Sequence, residues 1–530
     1  MRGRDVTTAK LFFALATIAT VGPGGSRATA ESLGANYDGT LDTTLQPSPF
    51  SAPFFGIPGF LEFAIDAGGI APYTNDDESA AMLVQPDGKI VVVGYAWAAA
   101  QPVSKYIGYM QRYLPDGNLD TAFGSNGRVT SEWFGVVGEV VDAHLLALAL
   151  QADGKLVVGG WLHMRNANVD SGIVMRYNAN GSFDSAFGQG SIPSAGGAVA
   201  KVLIGADGGI YAIGEENSQN GWQINATFLD TDGVLVNDIN QSVGSGAGDG
   251  DRAYDAVLQI VPSQVCGDGC IIPAHEEIFI VGSSYRGTYP SGIDNHDCAI
   301  LALRRNFIDT QFSVDTQFNV GGALLVDFPM PPANEGDNYC RSVVARPGGG
   351  IVVGGENFYI STLGGGTPGL ASNYALAEID LDANVTRQDA FAWFQEPATP
   401  GVFNGVFDMA REPNGKLVLT GYSGTTVAGR APSDIGVIRF NADFTRDATF
   451  GNDGLGLAAL SLDGESFLHT SQREWANTVA LDNRGHIVLV GQRSYDLAGG
   501  NPNDYDWLIA RLSTNDEIFR DSLDGVIPVL

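Results

Sequence analysis

The chain has 530 residues, 29 of them basic and 60 acidic, for a formal net charge of −31 at pH 7. A surface this negative repels phosphate backbones and anionic lipid at long range, which argues against nucleic acid and anionic lipid as partners. No segment after residue 30 approaches a membrane span, so no membrane insertion is expected. With 17% charged residues and 70 glycines, the composition describes short strands and tight turns rather than long salt-bridged helices.

Residues 1–30 read as a secretory signal. Arg2, Arg4 and Lys10 precede an apolar run, Leu11–Gly22, too short to cross a bilayer, and Ala28-Thr29-Ala30 forms a small-residue cleavage site. The mature protein is expected to be Glu31–Leu530, exported and monomeric.

From there one phrase keeps returning: QPDGKIVVVG at Gln85–Gly94, QADGKLVVGG at Gln151–Gly160, EPNGKLVLTG at Glu412–Gly421 and LDNRGHIVLVG at Leu481–Gly491. Looser copies stand at Gly205–Gly214 and Arg346–Gly355. Repetition at a steady period means one supersecondary unit stacked on copies of itself. Each unit opens with an apolar first strand, such as Ala80–Gln85 or Leu145–Gln151, and turns at a D-G or N-G pair. A β-branched second strand follows (Lys89–Val93, Lys155–Val158), expected to end at its glycine and to give way to a loop of variable length.

Third strands are expected at Tyr106–Tyr113, Gly172–Tyr177, Ala299–Arg304, Asp434–Phe440 and Asp506–Leu512. They run into a second turn phrase, PDGNLDTAFG at Pro115–Gly124 and NANGSFDSAFG at Asn178–Gly188, and a short fourth strand such as Gly127–Thr130 closes the unit. The turn glycines Gly88, Gly154, Gly208, Gly349, Gly415 and Gly485, with one disturbed unit around Asp255–Gly282, count seven blades. The reading is therefore all-β: a seven-bladed β-propeller of four-stranded antiparallel blades. Residues 31–530 form its single domain, with blades at 76–141, 142–197, 198–250, 251–336, 337–401, 402–471, and 472–530 joined by 31–75. Because the first turn phrase, at Tyr37–Leu45, has no strand before it, the N-terminal segment, near Phe60–Ile65, is expected to complete the last blade and close the ring.

DGKI-V-V-G followed by a strand and DG-LD-T-FG resembles the bacterial delta-60 repeat family. The resemblance implies an exported seven-bladed propeller of a kind mostly without known activity, placed in the periplasm, at the cell surface or outside a bacterium. It implies no enzyme.

Cys266, Cys270, Cys298 and Cys340 make an even count in an exported chain, which favours disulfides. The preferred pairing is Cys266 with Cys270, inside a small insertion, and Cys298 with Cys340, tying one repeat to the next.

Strand order puts both repeated turns on one face and the variable loops on the other, where function is expected. The lysines and arginines that recur beside the turn aspartates Asp87, Asp120, Asp153 and Asp184 are read as ion pairs that set the blade. On the variable face, counting back eleven or twelve positions from the turn glycines finds Asp76, Asp142, Asp337 and Glu474. These carboxylates either ring the channel mouth in a way that suits Ca²⁺, with Asp142 and Asp337 as metal ligands, or cap backbone N–H groups, the reading favoured here. Trp97, Trp161, Tyr285 and Tyr505 are candidates to stack on a glycan, peptide or protein ligand. His163, His296 and His469 are placed in variable loops without metal-ligand spacing, and no nucleophile motif is present. The leading expectation is a non-enzymatic exported binding or scaffold propeller. Its alternative is a hydrolase or lyase acting on polysaccharide or peptide through loop-face carboxylates and a histidine.

Overall fold

The computed structural model describes residues 60–63, 77–98, 104–131, 140–187, 197–218, 221–244, 250–265, 271–289, 294–307, 312–329, 336–361, 369–391, 402–425, 433–451, 457–460, 472–495 and 504–513. They form seven antiparallel blades of mostly three or four strands, with only one short 3-10 turn at Val320–Gly322. The first strands of the blades are Asp77–Val84, Val141–Leu150, Val199–Ile204, Asp251–Val261, Gly336–Ala345, Val402–Arg411 and Gln472–Leu481. Each touches the first strand of the next blade, and the last touches the first, so they enclose the central channel.

Second strands such as Ile90–Ala98 are buried on both sides because each sheet is packed between two others, which is why they read as unbroken apolar runs. Each of the seven hydrophobic clusters joins two neighbouring blades. One combines Val91, Val93 and Met110 of blade 1 with Leu145, Val158 and Ile173 of blade 2. Another joins Ile90 and Val92 of blade 1 to Val490 and Trp507 of blade 7. The core is thus a circle of seams rather than a single centre.

The ring is closed as expected. Phe60–Phe63 pairs antiparallel with the third strand of blade 7, Asp504–Leu512, in the register Phe60↔Ala510 to Phe63↔Trp507. Ser79 of blade 1 donates to the carbonyl of Gly491 in blade 7 at 2.7 Å. The Cys298–Cys340 disulfide also forms, with Cα atoms 4.9 Å apart, and ties the third strand of blade 4 to the first strand of blade 5. The Cys266–Cys270 pair, the signal segment and the expected fourth strand of blade 2 lie outside the described residues.

Two expectations need correction. Second strands do not end at the repeat glycine: they continue for several residues and pair with an equally extended third strand, as in Trp97↔Tyr106 and His163↔Asp170. Length assigned to loops is therefore partly strand, and His163 and His296 are strand residues. The glycine has a different purpose. In every blade the first strand carries a β-bulge beside it, and the bulge pushes a carbonyl against the glycine Cα. A Cβ at Gly94, Gly160, Gly282 or Gly355 would stand 1.7–2.0 Å from the opposing backbone oxygen. The seven terminal glycines of the phrase are the imprint of seven bulges.

Candidate functional site

The constant face is occupied by structural ion pairs. Arg112 donates through Nε to Asp120 at 2.9 Å and through a terminal nitrogen to the Ala179 carbonyl in the next blade at 2.6 Å. Arg176 repeats this with Asp184 and the Thr231 carbonyl, and Arg511 reaches from blade 7 to the Pro115 carbonyl of blade 1 at 2.6 Å. Lys155 and Lys416 join Asp184 and Asp447 at 3.1 and 3.0 Å. Burial opposes ionisation of Asp447, but Thr449, Lys416 and Arg439 together hold its carboxyl down to about 2.

The opposite, variable face carries the candidate site, in the seam between blades 1 and 2. Extension of the strands past the glycine brings Tyr95, Trp97 and Tyr106 of blade 1 against His144, Trp161 and Arg165 of blade 2. The imidazole of His144 stacks on Trp161 with ring centroids 4.4 Å apart and an 11° interplanar angle, and meets Tyr95 at 4.1 Å. Trp97 meets Tyr106 edge-on at 4.8 Å, and the Arg165 guanidinium lies 5.5 Å from the Trp97 ring. Burial pushes His144 down to about 3 although Asp142 opposes the shift, so the imidazole is neutral at physiological pH. The Trp161 Nε1 is buried without a hydrogen-bond partner among the described residues. Beyond it, His163 Nδ1 lies 2.7 Å from an Asp170 carboxylate oxygen in a more exposed pair.

The sequence-derived acidic residues separate. Asp142 accepts the backbone N–H of Tyr106 at 2.8 Å and two Arg165 nitrogens at 2.6 Å. Asp337 takes the equivalent place between blades 4 and 5, accepting the N–H of His296 at 2.9 Å. Each caps a third strand of the preceding blade. Glu474 is not their equivalent: it is one residue out of phase relative to the bulge, which turns it to the other side of its strand, where it is buried and lies 3.2 Å from Arg493 Nε. Asp76 lies outside the described residues. The structure therefore does not bring Asp142, Asp337 and Glu474 together, and among the described residues no group of three or more His, Cys, Asp or Glu is placed to hold a metal ion.

The aromatic candidates separate too. Trp97 and Trp161 share the blade 1–2 seam; Tyr285 packs on His296 at 5.3 Å and Tyr505 on Trp475 at 5.5 Å, in other blades. Tyr106, His144 and Arg165 were not singled out by sequence; the alternation of an extended hairpin running past Gly94 and Gly160 was the available signal.

A second cluster was equally hidden. The residue just after each first-strand bulge faces its neighbours around the channel, and in blades 3 to 7 it is Lys201, Asp255, Ser342, Asp408 and Thr478. Lys201 pairs with Asp255 at 2.6 Å, and the Ser342 hydroxyl, with one proton to donate, lies within hydrogen-bond distance of both Asp255 and Asp408, at 3.1 and 2.9 Å. Asp408 accepts the Thr478 hydroxyl and the Val479 N–H, both at 2.9 Å. Burial and the nearby Asp255 raise the Asp408 carboxyl above its ordinary value; burial opposes the charge of Lys201, but Asp255 and Asp408 raise its pKa. The girdle is satisfied from blade to blade, and its role is to join first strands.

Seven radially packed antiparallel sheets closed by an N-terminal strand define a β-propeller. Segments 85–123, 151–187 and 412–450 match the family described as "Domain of unknown function (DUF5122) beta-propeller". They are in blades 1, 2 and 6, those with the Lys–Arg–Asp arrangement. No curated protein matches the chain. Among solved structures it is similar to the β-propeller domain of the Trilobed protease from Pyrococcus furiosus, with 9% identity, 85% of this chain and 99% of that chain covered and a TM-score of 0.38. It is also similar to polysaccharide lyase Uly1, with 9% identity, 90% and 98% coverage and a TM-score of 0.40. A third is Penicillium chrysogenum alpha-L-arabinanase complexed with arabinobiose, with 11% identity, 70% and 93% coverage and a TM-score of 0.34. At these values nothing about activity is carried over.

Proposed function

We propose that the chain is an exported, non-enzymatic binding or scaffold propeller of the delta-60 repeat kind, taking a glycan, peptide or protein ligand on its variable face. The observation that carries this reading is the aromatic group around the stacked His144–Trp161 pair: flat rings, a neutral imidazole and an indole N–H that has no partner among the described residues suit a ligand that offers both an apolar face and an acceptor. Export is supported by the Cys298–Cys340 disulfide, which belongs to an oxidising compartment. No helix among the described residues is long and apolar enough to cross a membrane.

A screen of neutral and charged glycans, short peptides and Ca²⁺ against the mature chain tests the reading. Binding that is weakened at least about tenfold by Trp161→Ala, with folding intact, supports the seam; a ligand indifferent to both Trp97→Ala and Trp161→Ala removes it. A rise in melting temperature with Ca²⁺ that is lost in Asp142→Asn would restore the rim-carboxylate reading instead. The hydrolase or lyase alternative is favoured by one feature, the exposed His163–Asp170 pair at 2.7 Å, which is a general-base arrangement. Turnover of a bound glycan or peptide, abolished by His163→Ala, decides for it.

A further inference from the structure

Three arginines that break the repeat meet at one cleft on the opposite, constant face. Between blades 5 and 6 a cleft of about 240 Å³ is lined by Arg346, Arg387, Arg411, Glu378 and Phe444, with the buried Leu417 and Val352 among its lining residues. In the regular blades the arginine opposite the second strand is Arg112 (paired with Val91) or Arg176 (paired with Val157); in blade 5 the equivalent partner of Val352 is Glu378. The basic group has moved to Arg346, which closes its turn onto Gly350 as Gln85 does onto Lys89. Arg411 faces Leu417 across the first hairpin of blade 6, where Val84 and Leu150 face Ile90 and Leu156 in blades 1 and 2. An arginine thus stands in place of a partly buried aliphatic.

The charges are only partly matched. Arg346 Nε is 2.9 Å from Glu378. Arg411 donates to the Ala345 carbonyl at 3.3 Å, and among the described residues it makes no ion pair with a carboxylate. Arg387 lies over the Phe444 ring at 5.0 Å. The nearby turn aspartates are hydrogen-bonded locally, Asp380 with the N–H groups of Asp382 and Asn384, and Asp443 with that of Thr445, while Arg346 and Arg387 act on them only through space. Burial, and then the charge of Arg346, push the Arg411 guanidinium below its ordinary value.

Phe444 has φ of +65°, at the turn position held by Gly117, Gly181 and Gly233 in blades 1 to 3 and by Ala383, with φ of +61°, in blade 5. A bulky residue in this region costs on the order of 1–2 kcal/mol relative to glycine, and here it forms a wall of the cleft. The ring packs in part on the hydrophobic cluster between blades 5 and 6 and in part faces the cleft.

We propose that this cleft binds the oxyanion of a small phosphorylated or sulfated molecule, with Arg411 and Arg387 as donors and Phe444 against the organic part of the ligand. Planar guanidinium forks match tetrahedral oxyanions, and the low-polarity lining supplied by Leu417 and Val352 strengthens the contact.

The test titrates inorganic phosphate and inorganic sulfate into the full chain at constant ionic strength, balanced with chloride, and reads heat and melting temperature. Saturable binding is expected, weakened about tenfold in Arg387→Gln and in Arg411→Gln, each removing one charged donor. Glu378→Gln, which removes the competing carboxylate from Arg346, is expected to tighten it several-fold. Preference for one ion assigns the ester class. Because Arg387 is exposed, its variant tests the site even where Arg411→Gln fails to fold. A response equal to that of chloride, or affinity unchanged in Arg387→Gln, overturns the proposal.

Discussion

The seam between blades 1 and 2 and the seam between blades 4 and 5 solve the same geometric problem with different chemistry. Asp142 and Asp337 make the same cap, and His144 and Tyr339 occupy the same register position beside it. Deeper in the seam, Gly108 leaves room for Leu145, whose Cγ would be 2.7 Å from a Cβ there; at the matching pair the second seam has the Cys298–Cys340 disulfide. On the constant face, blade 1 has Lys89, Arg112 and Asp120, whereas blade 4 has Glu277, Ala302 and Asp315 in the same places. Both cations are gone and one acid is added. What the two seams share is dictated by backbone geometry, and what differs shows how a seam that has lost its cationic staple is held by a covalent one.

The largest effect is expected where the seams are alike. Gly160→Ala and Gly355→Ala each drive a Cβ to 2.0 and 1.8 Å from a carbonyl oxygen, and each should cost on the order of 3–5 kcal/mol or prevent folding. Equal losses in denaturant unfolding support a common bulge; a mild effect at either position breaks the equivalence.

Arg112→Ala comes next, at about 3–5 kcal/mol, because it leaves the buried Asp120 without its guanidinium and uncouples blade 1 from Ala179. A loss below about 1 kcal/mol would mean that the staple contributes little to the first seam.

Removing the covalent staple sharpens the contrast. Cys298→Ala with Cys340→Ala should lower stability by about 2–4 kcal/mol. Cys298→Gly with Cys340→Leu, which copies Gly108 and Leu145, should recover part of that by filling the space. If the copy is no better than the alanine pair, the seams are not interchangeable at this point.

The smallest effect depends on pH. Burial, and then the neighbouring Asp315, raise Glu277 to about 7 although Gln259 opposes the shift; Arg304 on the third strand and His275 on the same strand are the other charged or titratable groups near the pair. The folded state binds this proton more tightly than the unfolded chain, so stability falls as pH rises from about 4.5 to about 7. Glu277→Gln should therefore stabilise by on the order of 1–2 kcal/mol above pH 7 and be neutral below pH 4.5. Asp447 behaves oppositely: its contribution is present above about pH 4 and is lost as pH falls toward 2. Parallel pH profiles for wild type and Glu277→Gln would remove the distinction between the blades.

The sequence by itself determined the blade count, the turn phrases, the ion pairs beside Asp120 and Asp184, ring closure through Phe60–Phe63 and the Cys298–Cys340 pair. Those features are local hairpin chemistry repeated along the chain, or follow from the need to leave no sheet edge open. Even the phase of Glu474 was in the count: it stands eleven positions before its turn glycine where Asp142 and Asp337 stand twelve, and that one residue puts it on the other side of its strand. Tertiary structure alone decided what these acids meet, Arg165 for Asp142 and Arg493 for Glu474. It also decided which aromatic residues meet and how Lys201, Asp255 and Asp408 join around the channel. Contacts across a seam link residues far apart in the chain, and no periodicity within one blade records what the neighbouring blade presents.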